Sequence, residues 1–298
     1  MATTRPRGFI DNWTPQQHVR RLIGDVYDIL QDNRDILPLT LRQIFYMLVS
    51  AYNSEDVQGY KFDKTEKSYK RLCETMNKAR RARMISMDSI RDDGFSKDGG
   101  GGWSSEASLI RTFKYSAERF QLNRQENQPT KLIVWCEAAG MMPQLADAVR
   151  DYHVPVMSSG GFDSVTTKHN MAEELSDMGD VEILHLGDHD PSGVHIYSSL
   201  DEDLQSFLYD MGGEMELTRL AVTPEQVETM GLSTAPPKST DKRSFSGLTT
   251  QCEAIPPRRL RQILTDAVTA RIDHDIYQED LQEEKRIRKS LGRRLEDL

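Results

Sequence analysis

The chain has 298 residues, 37% of them hydrophobic and 29% charged, and carries a net charge of −9. This is the composition of a globular protein with a substantial core, in one large or two smaller domains, and the acidic total argues against a uniformly basic nucleic-acid binder. No run approaches the roughly 18 apolar residues of a membrane span, no apolar h-region opens the sequence, and Cys73, Cys136 and Cys252 show no C-x-x-C spacing, so a reducing cytoplasm without membrane attachment is the expected setting.

Residues 14–34, "TPQQHVRRLIGDVYDILQDNR", place Val19, Leu22, Ile23, Val26, Ile29 and Leu30 at helical spacing, with Thr14 as N-cap and Pro15 at the first helical position. A second helix starts in "LPLTLRQIFYMLVSAYN" with Thr40 as its N-cap, and a third covers about 65–83. Helix, short turn and basic helix outline a helix-turn-helix or winged-helix module. Within 64–91, nine Lys/Arg against three Asp/Glu leave the segment six charges positive inside an acidic protein. Such a stretch is either a solvated helix face or a surface for a polyanion. The glycine-rich stretch 92–108 is a flexible loop, a helix follows at about 105–121, and the polar "NRQENQPT" marks a boundary near residue 128.

From 131 the pattern changes. "KLIVWCE", "VPVMSS", "VEILHLGD" and "EMELTRLAV" read as strands, separated by helices of 12–21 residues, which predicts βαβ units and a parallel sheet. The last 40 residues read as helical and end charge-dense. The fold class is therefore α/β: 1–35 an N-terminal helical extension, 36–127 a winged-helix-like (CAP-like) domain, and 128–298 a Rossmann-like parallel-sheet domain with C-terminal helices.

Ligands of such sheets bind beyond the carboxyl ends of the strands. Three acids fall there: Glu137 ends "LIVWCE", and Asp188 and Asp190 end "ILHLGDHD". Three converging carboxylates repel one another unless some protonate or a cation joins them. Mg²⁺ suits such a set, completing its octahedron with water and phosphate oxygens. Asp190 before Pro191 equally suits the N-cap of a helix. His185 and His189 read as neighbours of the acids, because a hard cation does not need imidazole.

A strand ending in Glu with a close Gly ("CEAAG"), followed by a strand ending "GDHDPSG", resembles the Toprim domain, in the form found in the A subunit of topoisomerase VI and its relatives among the meiotic double-strand-break proteins. The resemblance implies that Glu137, Asp188 and Asp190 hold Mg²⁺, with Mn²⁺ as a substitute, near a scissile phosphate. It also implies an upstream winged-helix tyrosine in an Arg-x-Ile-[Phe/Tyr]-Tyr context, which "LRQIFYMLV" matches with Tyr46 as nucleophile and Arg42 as its assistant. At about 100° per residue, Leu41, Ile44, Phe45, Leu48 and Val49 share one helix face, while Tyr46 falls outside it, beside Arg42 and Ser50. That placement fits a phenol displayed beside a guanidinium, and equally a boundary tyrosine with its hydroxyl in water. Tyr52, Tyr60 and Tyr69 lack this context.

The basic segment resembles the corresponding region of bacterial and phage relatives of that subunit, with Lys70, Arg71, Lys78, Arg80, Arg81 and Arg83 expected on the DNA backbone. The segment 233–264 resembles the family more loosely, with Glu253 as a structural or supporting acid. The activity implied is Mg²⁺-dependent cleavage of double-stranded DNA by tyrosine transesterification. It leaves a 5′-phosphotyrosyl link and is carried out by a homodimer in which the tyrosine of one subunit serves the metal site of the other. No G-x-x-x-x-G-K-[ST] occurs, so strand passage would need a separate ATPase subunit. Two alternatives stand beside this: a Toprim nuclease that hydrolyses DNA with activated water, and a non-catalytic DNA-binding subunit of a larger complex. The expected location is cytoplasmic, on the nucleoid or in a viral host.

Overall fold

A computed structural model of the chain describes residues 8–51, 62–91, 102–158, 165–239, 241 and 243–296. Tyr52, Tyr60 and all but the end of the glycine-rich loop lie outside them.

The first part is helical. Helix α1 (Gln17–Asp32) presents Leu22, Ile23, Val26 and Leu30 inward at helical spacing. It begins after the expected Thr14 cap: Gln16 is the N-cap, and its carbonyl, not a side chain, takes the first N–H groups. Strand β1 (Leu39–Thr40) runs into α2 (Leu41–Ala51). Thr40 and Gln43 cap that turn reciprocally: Thr40 N–H donates to Gln43 Oε1 at 2.9 Å and Gln43 N–H donates to Thr40 Oγ1 at 3.1 Å. Thr65 caps α3 (Glu66–Arg81) by accepting from Ser68 N. Strand β2 (Ile90–Arg91) pairs with β1 in parallel, the one ladder among the described residues of this part. One core joins α1, α2 and α3, so 17–32 packs as part of this helical body.

Helix α4 (Glu106–Glu118) leads to the sheet part. The remaining elements alternate: β3 (Lys131–Cys136), α5 (Met142–Val149), β4 (Val156–Ser158), α6 (Val165–Ser176), β5 (Val181–Leu186), α7 (Pro191–Met211) and β6 (Met215–Ala221). After them come α8 (Pro224–Thr229), α9 (Pro257–Thr269) and α10 (His274–Glu296). The strand order is β4-β3-β5-β6, all parallel. The expected α/β architecture with a parallel sheet is thus present.

Both sheet faces are covered, which is why the strands read as continuous apolar runs. Leu132, Val134 and Cys136 pack with α5 and α9 on one face. Ile133 and Trp135 pack with α6 and α7 on the other. β3 therefore feeds a helix on one face and β5 a helix on the opposite face. The gap between their carboxyl ends is the switch point of the sheet.

The two parts touch through the chain's later segment. Gln43 Nε2 donates to Gln144 Oε1 at 2.5 Å, and Gln144 Nε2 donates to the Pro38 carbonyl at 3.0 Å. Ala254, from the turn before α9, sits in the helical core. Near the expected boundary, α4 and the residues after it lie on α10: Arg124, buried, pairs with Glu284, and Arg288 Nε donates to the Phe120 carbonyl at 2.6 Å. Among the described residues no helix is long and apolar enough to cross a membrane.

Candidate active site

Glu137 follows β3 directly, and its N–H donates to the Leu186 carbonyl at 2.9 Å, extending the β3–β5 ladder by one step. Its Oε2 accepts from Asp188 N–H at 2.9 Å. The carboxyl thus turns toward the aspartate loop, as the sequence reading requires. Two glycines make room for it. A Cβ on Gly187 would strike His185 and come within 2.9 Å of Glu137 Oε2. A Cβ on Gly193 would strike the Asp188 carbonyl and come within 3.1 Å of the same carboxylate oxygen.

Asp188 Oδ1 accepts from Cys252 N–H at 2.8 Å. Two residues earlier in that segment, Thr250 exchanges both backbone hydrogen bonds with His189, at 2.8 and 2.9 Å. Residues 249–252 therefore fix the aspartate loop from outside the sheet. Asp190 caps α7 by accepting from Gly193 N–H at 2.7 Å, with Pro191 in the first turn. The helix-cap reading of Asp190 holds, and its position beside the other acids holds with it.

The electrostatics follow from this crowding. Burial pushes Glu137 up to about 7, and the Asp188 and Asp190 charges add to the effect. Burial also raises Asp188, with Asp190 contributing. Arg219, from β6, opposes both: its Nη2 donates to the Asp188 carbonyl at 2.6 Å and to the Gly187 carbonyl at 3.3 Å. Among the described residues no three His, Cys, Asp or Glu side chains form a ready metal cage. The acids do fit a cation that keeps most of its waters: they are hard oxygen donors, burial and neighbouring charge disfavour the ionised forms of Glu137 and Asp188, and glycines leave the space around Glu137. His185 is not part of such a set. It is fully buried with neither ring nitrogen hydrogen-bonded, burial holds it down at about 3, and its ring lies against Tyr197.

Tyr46 departs from the expected display on a helix edge. It is 4% exposed and packs with Ile44, Phe45, Leu48 and Val49 in the helical core, its ring edge-on to Phe45. The physical reason is that α2 has neighbours on several sides, α1, α3 and the 252–254 turn, so its single apolar stripe does not mark the limit of burial. Burial raises the phenol well above its usual value, and Arg42 pulls it back, while Glu253 and Asp188 push it further up. Arg42 Nε lies 3.5 Å from Glu253 Oε2, and burial lifts Glu253 to about 7. Lys64 Nζ sits 5.4 Å from the Tyr46 ring centroid and feels the Asp188 charge. One chain therefore brings Tyr46, Arg42, Glu253 and Lys64 up to Asp188 from the helical side.

The cations expected on DNA lie on α3 and just after it. Lys70, Arg71, Lys78 and Arg83 are exposed. Several have partners within the chain: Lys70 pairs with Glu66, Arg80 donates to the Met87 carbonyl, Arg81 to Asn77 and the Gly8 carbonyl, and Arg83 to Asp11. The sequence reading did not single out Arg219 or the Cys252 N–H. A lone arginine inside a strand and a backbone donor in a loop carry no periodic signal. Compared with protein-family models, curated proteins and solved structures, the chain matches none of them.

Proposed function

We propose that the chain cleaves double-stranded DNA by metal-dependent transesterification with Tyr46 as nucleophile, in a winged-helix-like part joined to a Toprim-like sheet. One observation carries the reading: within one chain, Asp188 is hydrogen-bonded to Glu137 at 2.9 Å and to Cys252 N–H at 2.8 Å, and the neighbouring Glu253 lies 3.5 Å from Arg42 on the Tyr46 helix. Glu137, Asp188 and Asp190 would hold Mg²⁺. When bound, the ion supplies positive charge to the phosphate and relieves the repulsion among the three acids.

The chain's own groups do the rest. Arg42 beside the phenol stabilises phenolate, and its guanidinium matches a phosphate. Glu253 holds Arg42 at 3.5 Å. The Tyr46 oxygen attacks phosphorus as its phenol proton passes to water, the P–O bond to the 3′-oxygen breaks, and that oxygen takes a proton from water and leaves as a hydroxyl. The 5′-phosphate stays esterified to Tyr46, so the strand reseals by the reverse step. The partners in this reading are DNA and a second copy of the chain that cuts the other strand, each copy using its own Tyr46 and acids in place of the exchange between copies that the resemblance implies, with an ATPase subunit supplied separately if strand passage follows. The setting is cytoplasmic.

A second reading has its own support. Tyr46 is only 4% exposed, which favours hydrolysis by water at the acids with the phenol structural. Supercoiled plasmid incubated with Mg²⁺ or Mn²⁺ and stopped with detergent separates the two. Protein covalently joined to 5′ ends, lost completely in Tyr46→Phe, is the expected result. Free 5′-phosphate ends, with Tyr46→Phe cutting at the wild-type rate, would establish hydrolysis instead.

A further inference from the structure

Arg80, Arg81 and Arg83, which the sequence offers for gripping DNA, are engaged elsewhere. Arg81 Nη1 donates to the Gly8 carbonyl at 2.8 Å, and Ile10 N–H donates back to the Arg81 carbonyl at 2.9 Å. Arg83 lies 3.3 Å from Asp11 and 4.4 Å from the Phe9 ring centroid. Arg80 Nη2 donates to the Met87 carbonyl at 2.9 Å. Residues 8–11 thus strap the C-terminal end of α3.

A different set of cations faces the acids. A cleft of about 340 Å³ opens beside Asp190, at the small end of the roughly 300–1,000 Å³ typical of ligand sites. Lys64, Lys238 and Arg243 line it, together with Ser192 and Gln251. Lys64 is anchored: its ammonium reaches the Ser233 carbonyl at 3.4 Å and stands over the Tyr46 ring. The rest of the lining is anchored too. Ala235 and Thr249 exchange backbone hydrogen bonds at 3.0 and 2.7 Å, and Thr249 Oγ1 donates to the Ala235 carbonyl at 2.9 Å. Asp241 holds Arg243 at 3.1 Å and belongs to the same lining. Among the described residues that line it, three cations against Asp190 and Asp241 leave a net charge of one, the complement of a single phosphodiester.

We propose that this cleft binds a backbone phosphate of the nucleic-acid strand on which the neighbouring acids act, with Lys64, Lys238 and Arg243 supplying the positive charge. The inference rests on the proposed DNA-cleaving reading and locates its substrate strand. A phosphate seated here lies next to Asp190, so the adjoining linkage of the same strand is led toward Asp188 and Glu137. Contacts of this kind carry no base information and scale with salt.

The test is the salt dependence of duplex binding. A fluorescent 30-base-pair duplex is titrated with the full chain in EDTA between 50 and 200 mM salt, and compared with Lys238→Gln/Arg243→Gln and with Lys70→Gln/Lys78→Gln. Both altered pairs contain exposed side chains, and melting temperatures check that folding is intact. The cleft pair is expected to weaken binding equally for unrelated sequences and to flatten log K against log salt by roughly 1. Inorganic phosphate and a mononucleotide in competition tell a strand site from a free-anion site: displacement of the duplex by either at equimolar concentration overturns the proposal. So does an unchanged slope in the cleft pair, or a slope that falls only in the α3 pair. If the wild type binds duplex with the expected slope but never cuts it, the cleft stands and the cleavage reading falls. If it cuts while the cleft pair binds as the wild type does, the reverse holds.

Discussion

The acid end of the sheet and the tyrosine helix meet around Asp188, yet they are built by opposite means. The acids are placed by backbone: Glu137 by the β3–β5 ladder and the Asp188 N–H, Asp188 by the Cys252 N–H, and Asp190 by the first turn of α7. Tyr46, Arg42 and Glu253 are placed by packing, with the phenol inside an apolar core and the charges at its rim. Backbone placement holds a geometry rigidly but tolerates no added atom. Side-chain packing shapes the surroundings of a group, and so sets how readily it ionises.

The largest effect that sharpens this contrast is on cleavage. Glu137→Gln keeps the shape and the acceptor for Asp188 N–H but removes the charge. Plasmid cleavage is expected to fall about 10²–10³-fold, with the melting temperature held or raised, because a buried carboxylate with a folded pKa near 7 has been neutralised. A cleavage rate within twofold of wild type would place the reaction away from the acid end.

The next test breaks the backbone construction directly. Gly193→Ala drives a methyl group into the Asp188 carbonyl. The carbonyl is held by Arg219, so it cannot shift freely. A loss of about 1–3 kcal/mol is expected in urea unfolding, together with lost metal-dependent activity. A neutral result would mean that the loop has slack, against the close approach described above.

The smallest effect belongs to the packed side. Glu253 has a folded pKa near 7 because burial disfavours its charge, against about 4.3 unfolded. The folded state therefore holds this proton more tightly. Its contribution to stability is complete below about pH 4 and is lost as pH rises through 7. Glu253→Gln cannot ionise. Between pH 5 and 8, in EDTA, the stability difference should move in favour of the variant by roughly 2 kcal/mol or less, since Arg42 at 3.5 Å offsets part of the cost. A difference that stays flat with pH would show Glu253 already ionised at pH 5.

Much of this was legible in the residues. The alternation after 131 marks each strand and helix of the sheet, because strands buried on both faces read as unbroken apolar runs. The acids are legible because parallel strands deliver their carboxyl ends to one edge, so position in the strand predicts position in space. The helix cap at Thr40 is a local pattern and was met, whereas Thr14 was not used. Arg219 was invisible, as its role depends on β6 lying beside β5, and so was the Cys252 N–H.

By itself, then, the sequence determined the period of each element, the parallel sheet and the three acids at its edge, since all of these depend on spacing along a single segment. The tertiary structure alone decided that Tyr46 is enclosed, that Arg81 and Arg83 are engaged by the 8–11 strap, and that residues 252–253 reach Asp188 and Arg42. Those outcomes depend on which distant segments press against a given side chain, and burial of that kind is a sum over neighbours that no single stretch of chain contains.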